Sequence, residues 1–113
     1  MTRPKTIPTT TQTAVRTRSQ GLCEGCGLHP ATELHHRRYK SRGGGHEPSN
    51  LMHLCGSGNH TGCHGKAHTG EGEALGWSVE SGIAPPAHYP LTYRGVRALL
   101  DDDGNVHTGS VVF

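Results

Sequence analysis

Between Cys23 and His68 the chain reads CEGCGLHPATELHHRRYKSRGGGHEPSNLMHLCGSGNHTGCHGKAH, a stretch that holds all four cysteines and eight of the ten histidines. Such a density excludes an ordinary apolar core. Free cysteine packs as a small hydrophobe and histidine is half-buried at best, whereas metal ligation explains both in a polar, glycine-rich context. The remainder of the chain makes some staple necessary: of 113 residues 31% are hydrophobic, with one Phe and one Trp, too few for a large core. Disulfides are the rival staple. No apolar N-terminal run resembles a signal peptide and no apolar stretch reaches about 18 residues, so a cytoplasmic chain with reduced thiols and no membrane partner is expected.

Cys23 and Cys26 flank a tight turn, the arrangement in which a zinc knuckle presents two thiolates to one ion. Cys55 and Cys63 form a second pair whose longer spacing requires the inserted GSGNHTG to loop out. Four thiolates close a tetrahedral site, and such a site contributes folding free energy that offsets the missing core. His29 and His60 are alternative ligands by position.

Along the chain, residues 1–19 carry many threonines, two prolines, four basic residues and no acid, the composition of a flexible arm. ATELHHRRY reads as a strand with Glu33 and His35 on one face and Leu34 and His36 on the other. SRGGGHEPS is a loop, and NLMHLC a second strand that alternates Leu51, His53 and Cys55 with Met52 and Leu54. CHGKAH opens a short helix expected to run toward Leu75. Residues 77–113 form an extension: a proline-kinked linker, then a hairpin turning at Asp103, Gly104 and Asn105, with Tyr93, Val96, Leu99 and Leu100 buried.

His64 and His68 are four residues apart, so on a helix their rings project from one face and reach one ion together. Adjacent histidines on a strand point oppositely, so His35 and His36 divide two roles, one ligating a cation and the other taking a proton from water. Phosphodiester hydrolysis needs that division. Asn50, from the strand across the glycine loop, is placed to orient the basic imidazole. Residues 1–70 carry nine Lys/Arg against three acids, a net of +6, while residues 71–113 carry two against six, a net of −4. The basic half holds the metal candidates, which favours nucleic acid as partner. Arg37, Arg38, Lys40 and Arg42 follow the paired histidines into the glycine loop, and at least two of them, with Lys66 on the helix, are expected to contact phosphates.

The succession Cys-x-x-Cys, HH, GG, SNL, LC, CH and a further His four residues on resembles the HNH endonuclease family, and its glycine-rich insertion is similar to small HNH proteins of tailed bacteriophages. The resemblance covers residues 22–68. It implies a small α+β protein: a ββα-metal, treble-clef-like finger at residues 20–76 with a four-cysteine structural zinc site (Cys23, Cys26, Cys55, Cys63), the flexible arm before it and the β-hairpin extension after it. It further implies His36 as general base, Asn50 as its orienting partner, and His35, His64 and His68 as ligands of one catalytic divalent cation. Many relatives carry Asp at the position of His35; with three imidazoles the site should prefer Zn2+, Ni2+, Co2+ or Mn2+ over Mg2+. DNA is the implied substrate, with phage terminase or packaging proteins as partners. The reading from another class is a non-catalytic zinc-stabilised DNA-binding module with the same basic face.

Overall fold

The computed structural model describes residues 6–58, 60–82 and 84–108. Its centre is a ββα unit. Strand β1 (Glu33–His36) pairs antiparallel with β2 (Leu51–Leu54) in the register Glu33↔Leu54, Leu34↔His53, His35↔Met52 and His36↔Leu51. Both strands are shorter than the sequence suggests, and just past the ladder the Arg37 amide still donates to the Asn50 carbonyl at 2.7 Å. That loop carries 3-10 turns at Lys40–Arg42 and Pro48–Asn50. Gly44 packs so tightly against the Arg38 carbonyl that a Cβ there would sit 1.7 Å from its oxygen. All four residues of β2 are buried: Met52 and Leu54 face the core, while His53 Nδ1 meets Ser19 Oγ at 2.8 Å.

Helix α2 (Gly62–Ala67) follows and ends at His68; a separate helix α3 (Gly70–Ala74) then begins, capped by the Thr69 hydroxyl. The expected single helix toward Leu75 is therefore two short ones. The GSGNHTG insertion closes on itself through Gly56 and Gly62, both at positive φ, where a Cβ on Gly62 would lie 2.6 Å from Gly56 Cα.

Two corrections concern the ends. The arm expected to be flexible contains helix α1 (Thr9–Ser19), with residues 1–5 outside the described part. Threonine disfavours a helix and no side chain caps its start. Tertiary contacts override that: Val15 and Ser19 are buried, and Arg18 reaches inward to Glu24 and to the Pro48 and Leu51 carbonyls. The C-terminal region is a three-stranded meander rather than one hairpin, with β3 (Leu91–Tyr93), β4 (Val96–Leu100) and β5 (Val106–His107). Arg94 and Gly95, both at positive φ, make the first turn, and the expected Asp103–Asn105 turn is the second. Tyr93 and Leu100 are buried as expected; Leu99 is half-buried and Val96, at the rim beside the first turn, is half-exposed, its place in the core taken by Ala98.

The core joins Met52, Leu54, Ala67, Trp77, Leu91, Tyr93, Ala98 and Leu100 to three of the cysteines. Among the described residues no helix is long and apolar enough to cross a membrane.

Candidate metal centre

Cys23, Cys26, Cys55 and Cys63 bring their sulfurs within 4.8 Å of one another, with Cys26 and Cys55 at 4.0 Å, and none is in a disulfide. A tetrahedral ion with metal–sulfur bonds of about 2.3 Å spaces its ligands by about 3.8 Å, so the donor set fits. Backbone amides already converge on it: Gly25 and Cys55 donate to Cys23 Sγ, Leu28 to Cys26 Sγ and Cys63 to Cys55 Sγ. Burial pushes the Cys55 and Cys63 thiols up, the neighbouring Cys23 adding to this at Cys63. At Cys26 burial acts the same way, yet the Leu28 and His29 amides and the Cys23 and Cys63 thiols outweigh it and bring the group down to about 7. Four thiols crowded without a cation are poorly placed; a cation ionises and satisfies them. His29 and His60 are exposed and outside this cluster.

The second cluster is His35, His64 and His68, with each pair of ring centroids 5.1 Å apart and ligand nitrogens within 4.8 Å of one another. β1 supplies the first and α2 with its C-cap the other two. Each ring is held from behind. His35 Nε2 donates to the Trp77 carbonyl at 2.6 Å, which puts its lone pair on Nδ1. His64 Nδ1 donates to Glu33 Oε1 at 2.8 Å, which leaves the lone pair on Nε2. His68 Nδ1 lies 3.1 Å from the Tyr39 hydroxyl while the Tyr39 ring stacks on the imidazole. Such outer partners are the usual companions of metal-ligating histidine. Burial, reinforced by the charges of its histidine neighbours, draws His35 down to about 3, and it lowers His68 as well, so both persist as the neutral imidazole that ligates.

One atom of this cluster stands out. Among the described residues, His68 Nε2 is the buried side-chain polar atom without a hydrogen-bond partner. Leaving it so costs about 1–3 kcal/mol, which an ion at the cluster would relieve.

His36 leaves β1 next to this cluster, its Nε2 3.0 Å from Nδ1 of His46 in the glycine loop. His35, His36, Tyr39, Lys40, His64 and His68 line one cleft of about 280 Å³.

Residues 23–70 fit the family model of the HNH endonuclease. That segment carries the similarity to an HNH endonuclease domain. Comparisons with curated proteins and with solved structures gave no match. Helix α1 and everything from Glu71 onward lie outside the matched segment.

Within and around that segment, several expected roles change. Asn50 is fully buried. Its Oδ1 accepts from the Arg38 amide and its Nδ2 donates to the Arg38 and Gly45 carbonyls, so it ties the exit of β1 to the glycine loop. Arg37 and Arg38 are buried too and cannot lie along a phosphate chain. The Arg37 guanidinium donates to the Ser49, Gly76, Pro86 and Tyr89 carbonyls. Burial lowers it to about 9, so it stays charged near neutrality. Arg38 donates to the Glu80 and Ala84 carbonyls and lies over the Tyr89 ring. Lys40 and Arg42 remain at the surface, Arg42 over the Tyr39 ring, and exposed Lys66 sits 3.5 Å from Glu71 and over Trp77.

Four contributors escape a reading by residue type: His46, Tyr39, the carbonyl of Trp77, and Glu33, which holds His64 rather than an ion. Tyr39 had a signal, standing four residues after His35 in an otherwise basic run. A carbonyl has none.

Proposed function

We propose that this protein is a metal-dependent endonuclease that hydrolyses DNA phosphodiester bonds, leaving a 5′ phosphate and a 3′ hydroxyl. The observation that carries the reading is the unpartnered, buried Nε2 of His68 beside His35 and His64, with a further histidine, His36, lining the same cleft. Zinc suits the sulfur cluster. At the imidazole cluster three nitrogens favour Zn2+, Ni2+, Co2+ or Mn2+ over Mg2+, and Glu33 is already committed to His64.

A cation held there supplies charge stabilisation at the phosphate and the leaving 3′ oxygen. The protein's own groups do the rest. His36 takes a proton from water as the water oxygen bonds to phosphorus; the bond to the 3′ oxygen breaks, its electron pair departs on that oxygen, and solvent returns a proton. With His46 Nδ1 accepting from His36 Nε2 at 3.0 Å, the basic lone pair of His36 would lie on Nδ1. Lys40 at the cleft offers the phosphate a charge-assisted hydrogen bond. A place beside a phage terminase or packaging protein rests on the insertion between Cys55 and Cys63 alone.

The test is conversion of supercoiled plasmid to open or linear forms with Mn2+, Ni2+, Zn2+ or Mg2+ in turn, for the natural chain and for His36→Ala. Cutting is expected only with metal, and a fall of about 10²- to 10⁴-fold with the substitution. DNA binding without cutting, unaffected by His36→Ala, would instead assign the non-catalytic module.

A further inference from the structure

A second cleft, of about 470 Å³, is lined by Thr6, Ile7, Gln12 and Arg16 on one wall and by the HNH-like segment on the other. It shares Leu34, His36, Lys40 and His64 with the smaller cleft, so the two form one trough running past the imidazoles. We propose that α1 is a wall of the DNA track and that Arg16 holds a phosphate flanking the scissile one. This rests on the endonuclease reading for the word scissile; the track itself does not.

The wall is fixed rather than mobile. Arg18 is anchored to Glu24 with both side chains at most 1% exposed, and Arg94 donates to the Ser19 carbonyl at the helix end. Residues two apart on a helix point about 200° apart, so anchoring Arg18 inward turns Arg16 outward, where it is exposed. The helix has no acid in its first turn and two arginines in its last. Glu33 brings the trough its one carboxylate, and hydrogen bonds from His64 and then from the Gly58 amide hold that group below its usual range. A separate cavity of about 430 Å³ is lined by Glu73 and Glu80 with Arg97 and suits a polyanion poorly.

Arg18, Arg37, Arg38 and Arg94 direct their guanidiniums at internal carboxylate or carbonyl oxygens. Arg16 and Lys40, by contrast, line the trough with exposed side chains. Each should register separately in the salt dependence of binding.

The experiment measures anisotropy of a short fluorescein-labelled duplex against a salt series, in a His36→Ala background so that DNA is held and not cut. Arg16→Ala should lower the slope of log affinity against log salt by about one, and Arg16→Lys should restore it. Arg97→Ala should leave the slope as it was. An unchanged slope in Arg16→Ala with an intact far-ultraviolet dichroism spectrum overturns the proposal. So does an equal fall in Arg97→Ala, which would mean diffuse surface charge. Should Arg16→Ala lose helix, Arg16→Gln gives the same readings with the helix kept. Metal-dependent cutting by the natural chain reports separately on the endonuclease reading: its absence beside an Arg16-dependent slope would leave a DNA groove without a nuclease.

Discussion

Glu33 stands one hydrogen bond behind the imidazole cluster. Its carboxylate receives the Nδ1 proton of His64 and the Gly58 amide, which fixes the tautomer and angle of one ring in the cluster. Removing such an outer partner weakens metal binding by about 10- to 100-fold. Glu33→Ala should therefore weaken Ni2+ binding at the imidazole cluster by that factor in isothermal titration, with the sulfur site left loaded. Glu33→Gln, which keeps an acceptor oxygen, should recover most of it; equal affinities for all three chains would remove Glu33 from the site. The arginines make the opposite point. Arg37 and Arg38 follow His36 in a run that reads as phosphate-binding, yet four carbonyls surround one and two carbonyls and a ring the other. Charge in a sequence carries no direction, and an unpaired carbonyl elsewhere in the chain leaves no mark by which to foresee its partner.

Among the elements, α1 is the one whose existence depends most on what it meets. A threonine-rich, uncapped segment has little intrinsic reason to be helical, and its attachment runs through Arg18 and Glu24, a pair buried to within 1%. Glu24 also accepts from the His53 amide and the Tyr93 hydroxyl, so one carboxylate joins α1, the cysteine turn, β2 and β3. Removing a single member of a buried pair leaves an uncompensated charge. Arg18→Met should cost about 3–5 kcal/mol in urea-induced unfolding, whereas Arg18→Met with Glu24→Gln should cost less than the single change. If the double variant is the less stable, the pair is not the anchor. The same dependence on distant partners separates what could be read in advance from what could not. The Cys-x-x-Cys turn, the HH strand and the CH…H helix are local patterns in which spacing sets geometry, and the structure gathers side chains from all three into two clusters. The helix α1 and the inward turn of Asn50 are set by partners distant in sequence, whereas the break at His68 is marked by the Thr69 cap beside it. Asn50 is expected to orient the base from the strand across the glycine loop; in the structure its amide meets the backbone of Arg38 and Gly45.

At the scale of the whole molecule, the sulfur cluster and the apolar core are one body, and Trp77 links that body to the imidazoles. A Cβ on Gly25 in the cysteine turn would lie 3.0 Å from the Trp77 ring and 3.1 Å from Cys63 Sγ, so the indole rests on the turn itself. The indole nitrogen donates to the Thr92 carbonyl of β3, while the Trp77 carbonyl receives His35. The two candidate centres should then differ in kind. Withdrawing a cation from the imidazoles leaves the strands, helices and core contacts in place. Withdrawing one from the sulfurs leaves Cys55 and Cys63, whose thiols burial holds neutral, packed around nothing. Binding energy at a structural zinc site is folding energy, about 10–16 kcal/mol in isolated zinc fingers near neutrality. Mild chelation should therefore remove one ion per chain and leave both the dichroism spectrum and the emission of the single Trp unchanged. Forcing chelation should remove the second ion together with a red shift of that emission and cooperative loss of secondary structure. A fully metal-free chain that melted at the temperature of the loaded one would show that the core holds without the sulfurs' ion. The link through Trp77 would then position His35 from a scaffold that owes nothing to metal.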